Sequence, residues 1–403
     1  MKDILKYTFL VVAVYFFINN PIFQFMGSMG SIKLLYPLAI VLLFKYQNEF
    51  RSMVSLFGKE LRLLFVIIII SAFRTIVGGD FSLFYMHIVM LIELTIIPAS
   101  LVILMSKGGD SNNFINVVIY VGCVGAIIST LCLLVPQVDE FVKYRLCKTS
   151  DRSFWEYRGF GMSETLSSFY SFNQAIIMVL SLFYTKGRKW IYIVLPLFFL
   201  SVLLNARTGV IIAAVSIALY FVFNRNFTML FGTVVGSVLV IYSFNYILST
   251  GALSDKTTLF VSDFFEQIDS MIDGGGLDEE GTASTLVGRM WILPDSIDEW
   301  LMGRGINLFR ESYGNNSDVG YIIQLNYGGL LYIYPWMILL LTMFKRMNSL
   351  KIESIFICVF VVVFAIANFK GNYLWNSGSL RLIVLLYMSY IFSNHKYYAT
   401  NNM

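Results

Sequence analysis

The chain has 403 residues, 57% of them hydrophobic and only 13% charged, with a net charge of +4. Soluble domains carry about 25% charged residues, so this chain lacks the polar surface that a water-soluble fold must present. The small positive excess excludes an electrostatic nucleic-acid binder and fits the surplus of cytoplasmic Lys and Arg found in multi-pass membrane proteins.

In lipid every backbone polar group has to be paired within the protein, so only helices and closed barrels cross. The apolar runs here are continuous, as in LLFVIIIISAF at Leu63–Phe73, whereas barrel strands alternate. The composition therefore predicts an all-α polytopic integral membrane protein with about 12 transmembrane helices of roughly 20 residues each. In chain order the expected spans lie near 4–20, 31–46, 61–78, 82–105, 114–135, 168–185, 190–205, 208–223, 227–248, 319–344, 353–369 and 379–393. Lys2 and Lys6 precede the first apolar run with no small-residue cleavage site after it, so that run is read as an uncleaved span. Between the seventh and eighth spans only Asn205–Arg207 intervenes.

One alternate set of loops holds Lys45, Arg51 and Lys59, then Lys107, then Lys186, Arg188 and Lys189, then Arg225, then Lys345, Arg346 and Lys351. Basic loops inside and an even number of spans put both termini in the cytoplasm. The whole of 1–403 then reads as a single transmembrane domain with two substantial outer loops, 136–167 and 249–318. The second is too long for a plain connection and is expected to be partly helical. Asp263–Ile272 has helical spacing and stops at Gly274, Gly275 and Gly276, and Thr285–Met302 reads as a second helix with Pro294 inside it. Cys123, Cys132, Cys147 and Cys358 show no metal-ligand spacing, and three of them sit in apolar runs, so no disulfide framework is expected.

Residues with chemical potential concentrate at the outer face. Arg207 stands in the tight turn between two apolar helices, and Arg289, Arg304 and Arg310 follow in the long loop. A guanidinium grips phosphate oxygens in pairs, and arginines beside apolar spans suit a substrate with an anionic head and a lipid tail. The loop 249–318 is otherwise acidic, with thirteen Asp or Glu against four Lys or Arg. General phosphate attraction is therefore not its purpose, and a few placed arginines must act against that background. The plainer alternative is an Arg that snorkels to the interface and does nothing else. Asp318, at the start of the tenth span, is either a helix N-cap or a base. Gly328 and Gly329 read as helix-packing positions. Trp155, Trp291, Trp300 and Trp375 fit an interfacial belt or a sugar-stacking platform. Within the spans, Glu93 is the one carboxylate near mid-membrane, with His87 and Arg74 near its depth, and serves either a helix pairing or a proton relay. Arg381, at the outer start of the last span, is a further candidate for the anion site. There is no G-x-x-x-x-G-K-[ST] loop, no H-E-x-x-H and no paired Asp-x-Asp on the outer loops. ATP hydrolysis and a divalent metal on a sugar diphosphate are thus not indicated, and no cofactor is expected.

LNARTGVII around Arg207, GRMW and GRG around Arg289 and Arg304, and SDVGYIIQLNYGG from Ser317, in that order and with a long outer loop in the C-terminal half, resemble the O-antigen polymerase family of bacterial inner membranes. The wider superfamily includes the O-antigen ligases. The ligases have a His at the head of the last segment, where this chain has Asp318. The Arg-x10-Gly spacing of some polymerases is absent from Arg289, since Gly303 stands fourteen residues on. The resemblance implies a membrane glycosyltransferase that moves a growing undecaprenyl-diphosphate-linked glycan onto a new lipid-linked repeat unit at the periplasmic face. It implies inversion at the sugar carbon, no metal, and a chain-length regulator as a partner. Arg207 and Arg289 would stabilise the diphosphate, assisted by Arg304 and Arg381, and Asp318 would take the acceptor proton. A lipid-linked oligosaccharide flippase and an O-antigen ligase are the alternatives.

Overall fold

The computed structural model describes residues 2–27, 29–78, 81–106, 113–147, 161–163, 167–183, 190–224, 288–309, 316–349, 354–374 and 378–401, with isolated positions between 235 and 262. Its helices, in chain order, are α1 (Lys2–Asn19), α2 (Leu35–Lys45), α3 (Gln47–Leu56), α4 (Gly58–Gly78), α5 (Phe81–Ser106), α6 (Asn113–Leu134), α7 (Pro136–Glu140), α8 (Ser167–Phe183), α9 (Ile191–Asn205), α10 (Arg207–Asn224), α11 (Ile297–Met302), α12 (Gly320–Ser349), α13 (Ser354–Val362), α14 (Asn368–Lys370) and α15 (Gly378–Asn401). Among the described residues there is no strand, only two isolated bridges, Ile22 with Gly30 and Phe23 with Cys147. Among the described residues four helices are long and apolar enough to cross a membrane, and six shorter apolar stretches accompany them. The protein is helical and embedded in a membrane.

Each expected span coincides with described helix except 227–248, which lies outside the described residues, as do the helix expected at Asp263–Ile272 and most of the loop 249–318. The helix expected over Thr285–Met302 is corrected in its described part. Residues 288–290 form a turn, 291–294 have no regular secondary structure, and only Ile297–Met302 is helical. Pro294 has no N–H to donate to a helical ladder, and Ser296 starts the helix instead, its hydroxyl accepting the Glu299 N–H at 3.2 Å.

The fold divides into two compact units whose segments interleave along the chain. The first holds Met1–Leu35, Asn112–Gly275 and Glu353–Val362. Its centre is α8, buried at every position over 170–181 and packed by α6, α9 and α10. A helix buried on all faces has to satisfy its polar side chains locally. Ser171 donates to the Val202 and Ala206 carbonyls (2.8 and 2.9 Å), and Asn173 donates to Asn19 Oδ1 at 3.1 Å. The α9–α10 turn is a single extended residue, Ala206 (φ −163°, ψ 134°). Ser171 thus adds a side-chain tie from α8 to carbonyls on either side of the break, which also accept the Ala206 and Gly209 N–H groups at 3.1 Å. In the expected loop 136–167, α7 runs into a π-helical turn at Phe141–Leu146. There Lys143, 1% exposed, pairs with Asp139 at 2.9 Å. Burial holds the Lys143 pKa below its ordinary value and the Asp139 pKa above its own. The four cysteines are buried and free.

The second unit holds Tyr36–Ser111, Gly276–Ile352 and Val363–Met403. Here α4 packs on α5 and α12, and α5 packs on α15, which is buried at every position over 378–389. The helix α12 is not one rod, because Gly329 sits at φ 64°, ψ −163° inside it. Only glycine adopts such a conformation readily. The expected continuous span 319–344 is thus two pieces. The twenty residues 330–349 reach about 30 Å and suffice to cross a bilayer alone, while 320–328 is a separate short helix. A Cβ on Gly329 would stand 2.4 Å from the Leu301 carbonyl. We predict that Gly329→Ala lowers the unfolding free energy by about 2 kcal/mol or more through backbone strain and this clash. Thermal unfolding of the purified protein checks it, and an unchanged midpoint would show that α12 can straighten.

Candidate functional site

The break in α12 frees backbone carbonyls in an apolar setting, where unpaired polar groups are costly. The chain fills the break with its own backbone. Arg304 N–H donates to the Asn326 carbonyl at 2.6 Å, and Gly305 N–H donates to the Tyr327 carbonyl at 3.1 Å. Approach this close requires the glycines of the GRG motif. A Cβ on Gly303 (φ 72°) would lie 2.6 Å from the Gly328 and Gly329 nitrogens. Gly328 and Gly329, expected as helix-packing positions, instead admit the backbone of 301–303 at a break in the helix. The partner that comes close is the segment 301–305. Arg74 holds that segment from α4, donating from Nη2 to the Gly303 carbonyl at 2.9 Å.

Further along, Leu308 packs with Val319, Ile322 and Ile323, flanked by Met290, Ile292, Ile306 and Phe369. Polar ties run through the same patch. The Ser317 hydroxyl donates to the Met290 carbonyl at 2.8 Å, and Asn326 Nδ2 donates to the Ile292 carbonyl at 2.8 Å. Gln324 Nε2 donates to Asn368 Oδ1 and Asn372 Oδ1, each at 2.9 Å, tying α12 to α14. The Trp291 and Phe369 rings lie 6.3 Å apart. Residues 288–309 are thereby laid across the first piece of α12.

This lattice brings together two of the expected site residues. Arg289 and Asp318 are the chain neighbours of Met290 and Ser317, which are bonded to each other. Arg289 is exposed and Asp318 half-buried, and neither side chain forms an ion pair or hydrogen bond among the described residues. Asp318 is not the N-cap. Helix α12 begins at Gly320, and the local hydroxyl is that of Ser317, which accepts the Val319 N–H at 3.1 Å.

The other three expected residues are placed differently. Arg304 is engaged by carboxylates, with Asp295 at 2.7 Å and Glu299 at 2.8 Å. Arg381 is 3% exposed and paired with Glu93 at 3.2 Å, and Glu93 also accepts the Tyr36 hydroxyl at 3.0 Å. Both guanidinium groups, expected on a diphosphate, hold the fold instead, because a carboxylate already sits where the phosphate would. For Glu93 this supports the helix-pairing alternative. Arg207 opens α10 in the first unit, and its side chain lies outside the described residues.

A group that the sequence reading only touched surrounds the break. His87 Nε2 lies 2.6 Å from the Tyr332 hydroxyl, and His87 Nδ1 lies 3.1 Å from Ser71 Oγ. Ser71 Oγ in turn lies 2.6 Å from the Tyr327 hydroxyl. Tyr327 and Tyr332 stand on either side of Gly329, so this chain of hydrogen bonds pins the two pieces of α12 to α4 and α5. The sequence signal was the buried-type polar residues Ser71 and His87 within otherwise apolar runs.

Two expectations follow. Removing one partner of a buried ion pair leaves an uncompensated charge, at about 3–5 kcal/mol. Arg381→Met should destabilise the protein by about that amount, and adding Glu93→Gln should recover most of it. Thermal unfolding of the single and double variants measures this. The Asp295 backbone N–H and then Arg304 hold the Glu299 pKa below its ordinary value. A depressed carboxylate stabilises the fold above its unfolded pKa and ceases to do so as pH falls through its folded pKa. Proteolysis of the segment 288–309 should therefore separate wild type from Arg304→Ala near neutral pH, and the two should converge in acid. No protein-family model matches this chain, and no curated protein matches it.

Proposed function

We propose that this protein is an O-antigen polymerase of the bacterial inner membrane, with both termini cytoplasmic, about twelve spans and the loop 249–318 in the periplasm. The observation that supports it most is the placement of positions 289 and 318 next to Met290 and Ser317, which are bonded to each other. Among the described residues neither Arg289 nor Asp318 forms an ion pair or hydrogen bond, while Arg304 and Arg381 are already neutralised by carboxylates.

In this reading Arg289 binds the diphosphate of an undecaprenyl-linked glycan and stabilises the charge that develops as it leaves. A hydroxyl at the non-reducing end of a new lipid-linked repeat attacks the anomeric carbon from the opposite side. The new glycosidic C–O bond forms as the bond to the diphosphate breaks, and the configuration inverts. The diphosphate departs with the bonding electrons, and Asp318 takes the hydroxyl proton. Holding two lipid-linked glycans in line lowers the barrier by orientation. Arg207 carries the expectation of an anion ligand in the first unit. A chain-length regulator is the proposed protein partner.

One observation favours the flippase alternative. Transporters use interrupted helices to offer backbone groups to their cargo, and α12 is interrupted. Here, however, the freed Asn326 and Tyr327 carbonyls are taken up by Arg304 and Gly305 N–H groups, which leaves them closed to a cargo.

Arg289→Ala should reduce polymerisation by about a hundredfold or more, leaving surface glycan as single repeats, while Arg289→Lys should recover part of it. Asp318→Asn should give a similar loss. The surface-polysaccharide profile of cells making normal amounts of each variant is the measurement. Full-length chains from Arg289→Ala would remove the polymerase reading. Accumulation of unligated polymer would move the assignment to ligase, and absence of any exported repeat would move it to flippase. Arg207→Ala is scored in the same way.

A further inference from the structure

Two long helices of the second unit mark where the bilayer lies. At one end of α4, Glu60 meets Arg346 of α12 at 3.0 Å, and Arg346 also donates to the Leu56 carbonyl at 2.8 Å. At the other end, a Cβ on Gly78 would stand 2.7 Å from the Gly305 carbonyl oxygen, and the Leu301 carbonyl lies against Gly329. From Glu60 to Gly78, α4 rises about 27 Å, close to the roughly 30 Å of a bilayer's hydrocarbon core. Between these ends both helices turn an apolar stripe outward, with Ile69, Phe73 and Ile76 exposed on α4 and Leu331, Tyr334 and Leu341 exposed on α12. In a membrane-embedded protein such stripes face lipid. Residues 301–305 therefore sit at one boundary of the hydrocarbon.

Beside that boundary the segment 291–302 leaves large apolar side chains uncovered. Ile297 is 79% exposed, and Trp291, Leu293, Trp300, Leu301 and Met302 are each more than a third exposed. A contiguous apolar patch of this kind marks a contact surface. Its position says what it contacts. The Leu301 carbonyl touches Gly329, one residue before the α12 stripe begins, so the patch continues the lipid-facing surface of α12. Charge then narrows the kind of lipid. Over 291–304 three carboxylates, Asp295, Asp298 and Glu299, stand against one guanidinium, Arg304. Anionic headgroups would be repelled. Apolar area and indole rings, which favour the boundary between headgroups and acyl chains, carry the contact.

We propose that residues 291–302 insert their exposed side chains into the interface of the bilayer, among zwitterionic phospholipids, and anchor the segment 288–309 there. Arg289 stands two residues before Trp291, at most about 7 Å along the chain, so the anchor holds it near headgroup depth. The inference is independent of the polymerase reading, because it concerns the bilayer and requires no glycan.

The test uses the purified full chain in nanodiscs of phosphatidylcholine bearing a diazirine on the acyl chain, either next to the glycerol or at the chain end, with labelled residues mapped by mass spectrometry. Ile69, in the middle of the α4 stripe, calibrates depth and should label more from the chain end. Residues 297–302 should show the reverse preference, labelling more from the probe next to the glycerol. Replacing part of the lipid with phosphatidylglycerol should not raise that labelling. Labelling of Ile69 with none on 297–302 would place these side chains in water or under protein. A chain-end preference like that of Ile69 would place them in the middle of the hydrocarbon. Labelling gained only with phosphatidylglycerol would assign the contact to charge. Each of these three results overturns the proposal. No polysaccharide enters the measurement, so it fails or holds separately from the assignment of the activity.

Discussion

The second unit depends on one backbone arrangement, the seating of residues 303–305 in the break at Gly329. A helix interrupted among apolar helices frees carbonyls that have no water to turn to. The N–H groups of Arg304 and Gly305 reach the Asn326 and Tyr327 carbonyls, and the absence of side chains at Gly303 and Gly329 lets the two backbones come close enough. The same contact fixes where the segment 288–309 lies. Once 303–305 are seated, Arg74 can grip the Gly303 carbonyl, and residues 288–302 are drawn over the first piece of α12.

Charge in this unit follows a consistent pattern. Glu60 meets Arg346, Glu93 meets Arg381, and Arg304 lies between Asp295 and Glu299. Buried charges are tolerable only in such pairs. Arg289 and Asp318 stand apart from it, exposed or half-buried and unengaged among the described residues. The proposed function rests on these two charges, on segments anchored by several independent hydrogen bonds.

Much of this was legible beforehand. Long continuous apolar runs gave the helices, and Glu93, the one carboxylate near mid-membrane, was open to a helix pairing or a proton relay until its pairing with Arg381 was seen. Gly328 and Gly329 read as helix-packing positions, whereas Gly329 breaks the helix. The α9–α10 division was visible only as the three residues Asn205–Arg207, and in the structure the turn's own backbone bonds are joined by Ser171 of a different helix. Arg304 and Arg381 looked as available as Arg289, because their carboxylate partners are either local but unranked, as with Asp295 and Glu299, or distant in the chain, as with Glu93.

By itself the sequence determined that the protein is helical and membrane-embedded, because hydrophobicity and backbone pairing in lipid are properties of each segment alone. It also singled out a few arginines and carboxylates at segment ends as candidates. Only the tertiary structure decided which of those charges remain bare, that Asp318 is not a cap, and that α12 is broken and refilled by a distant loop. Pairing and capping depend on atoms brought together from different helices, and chain order carries no record of those distances.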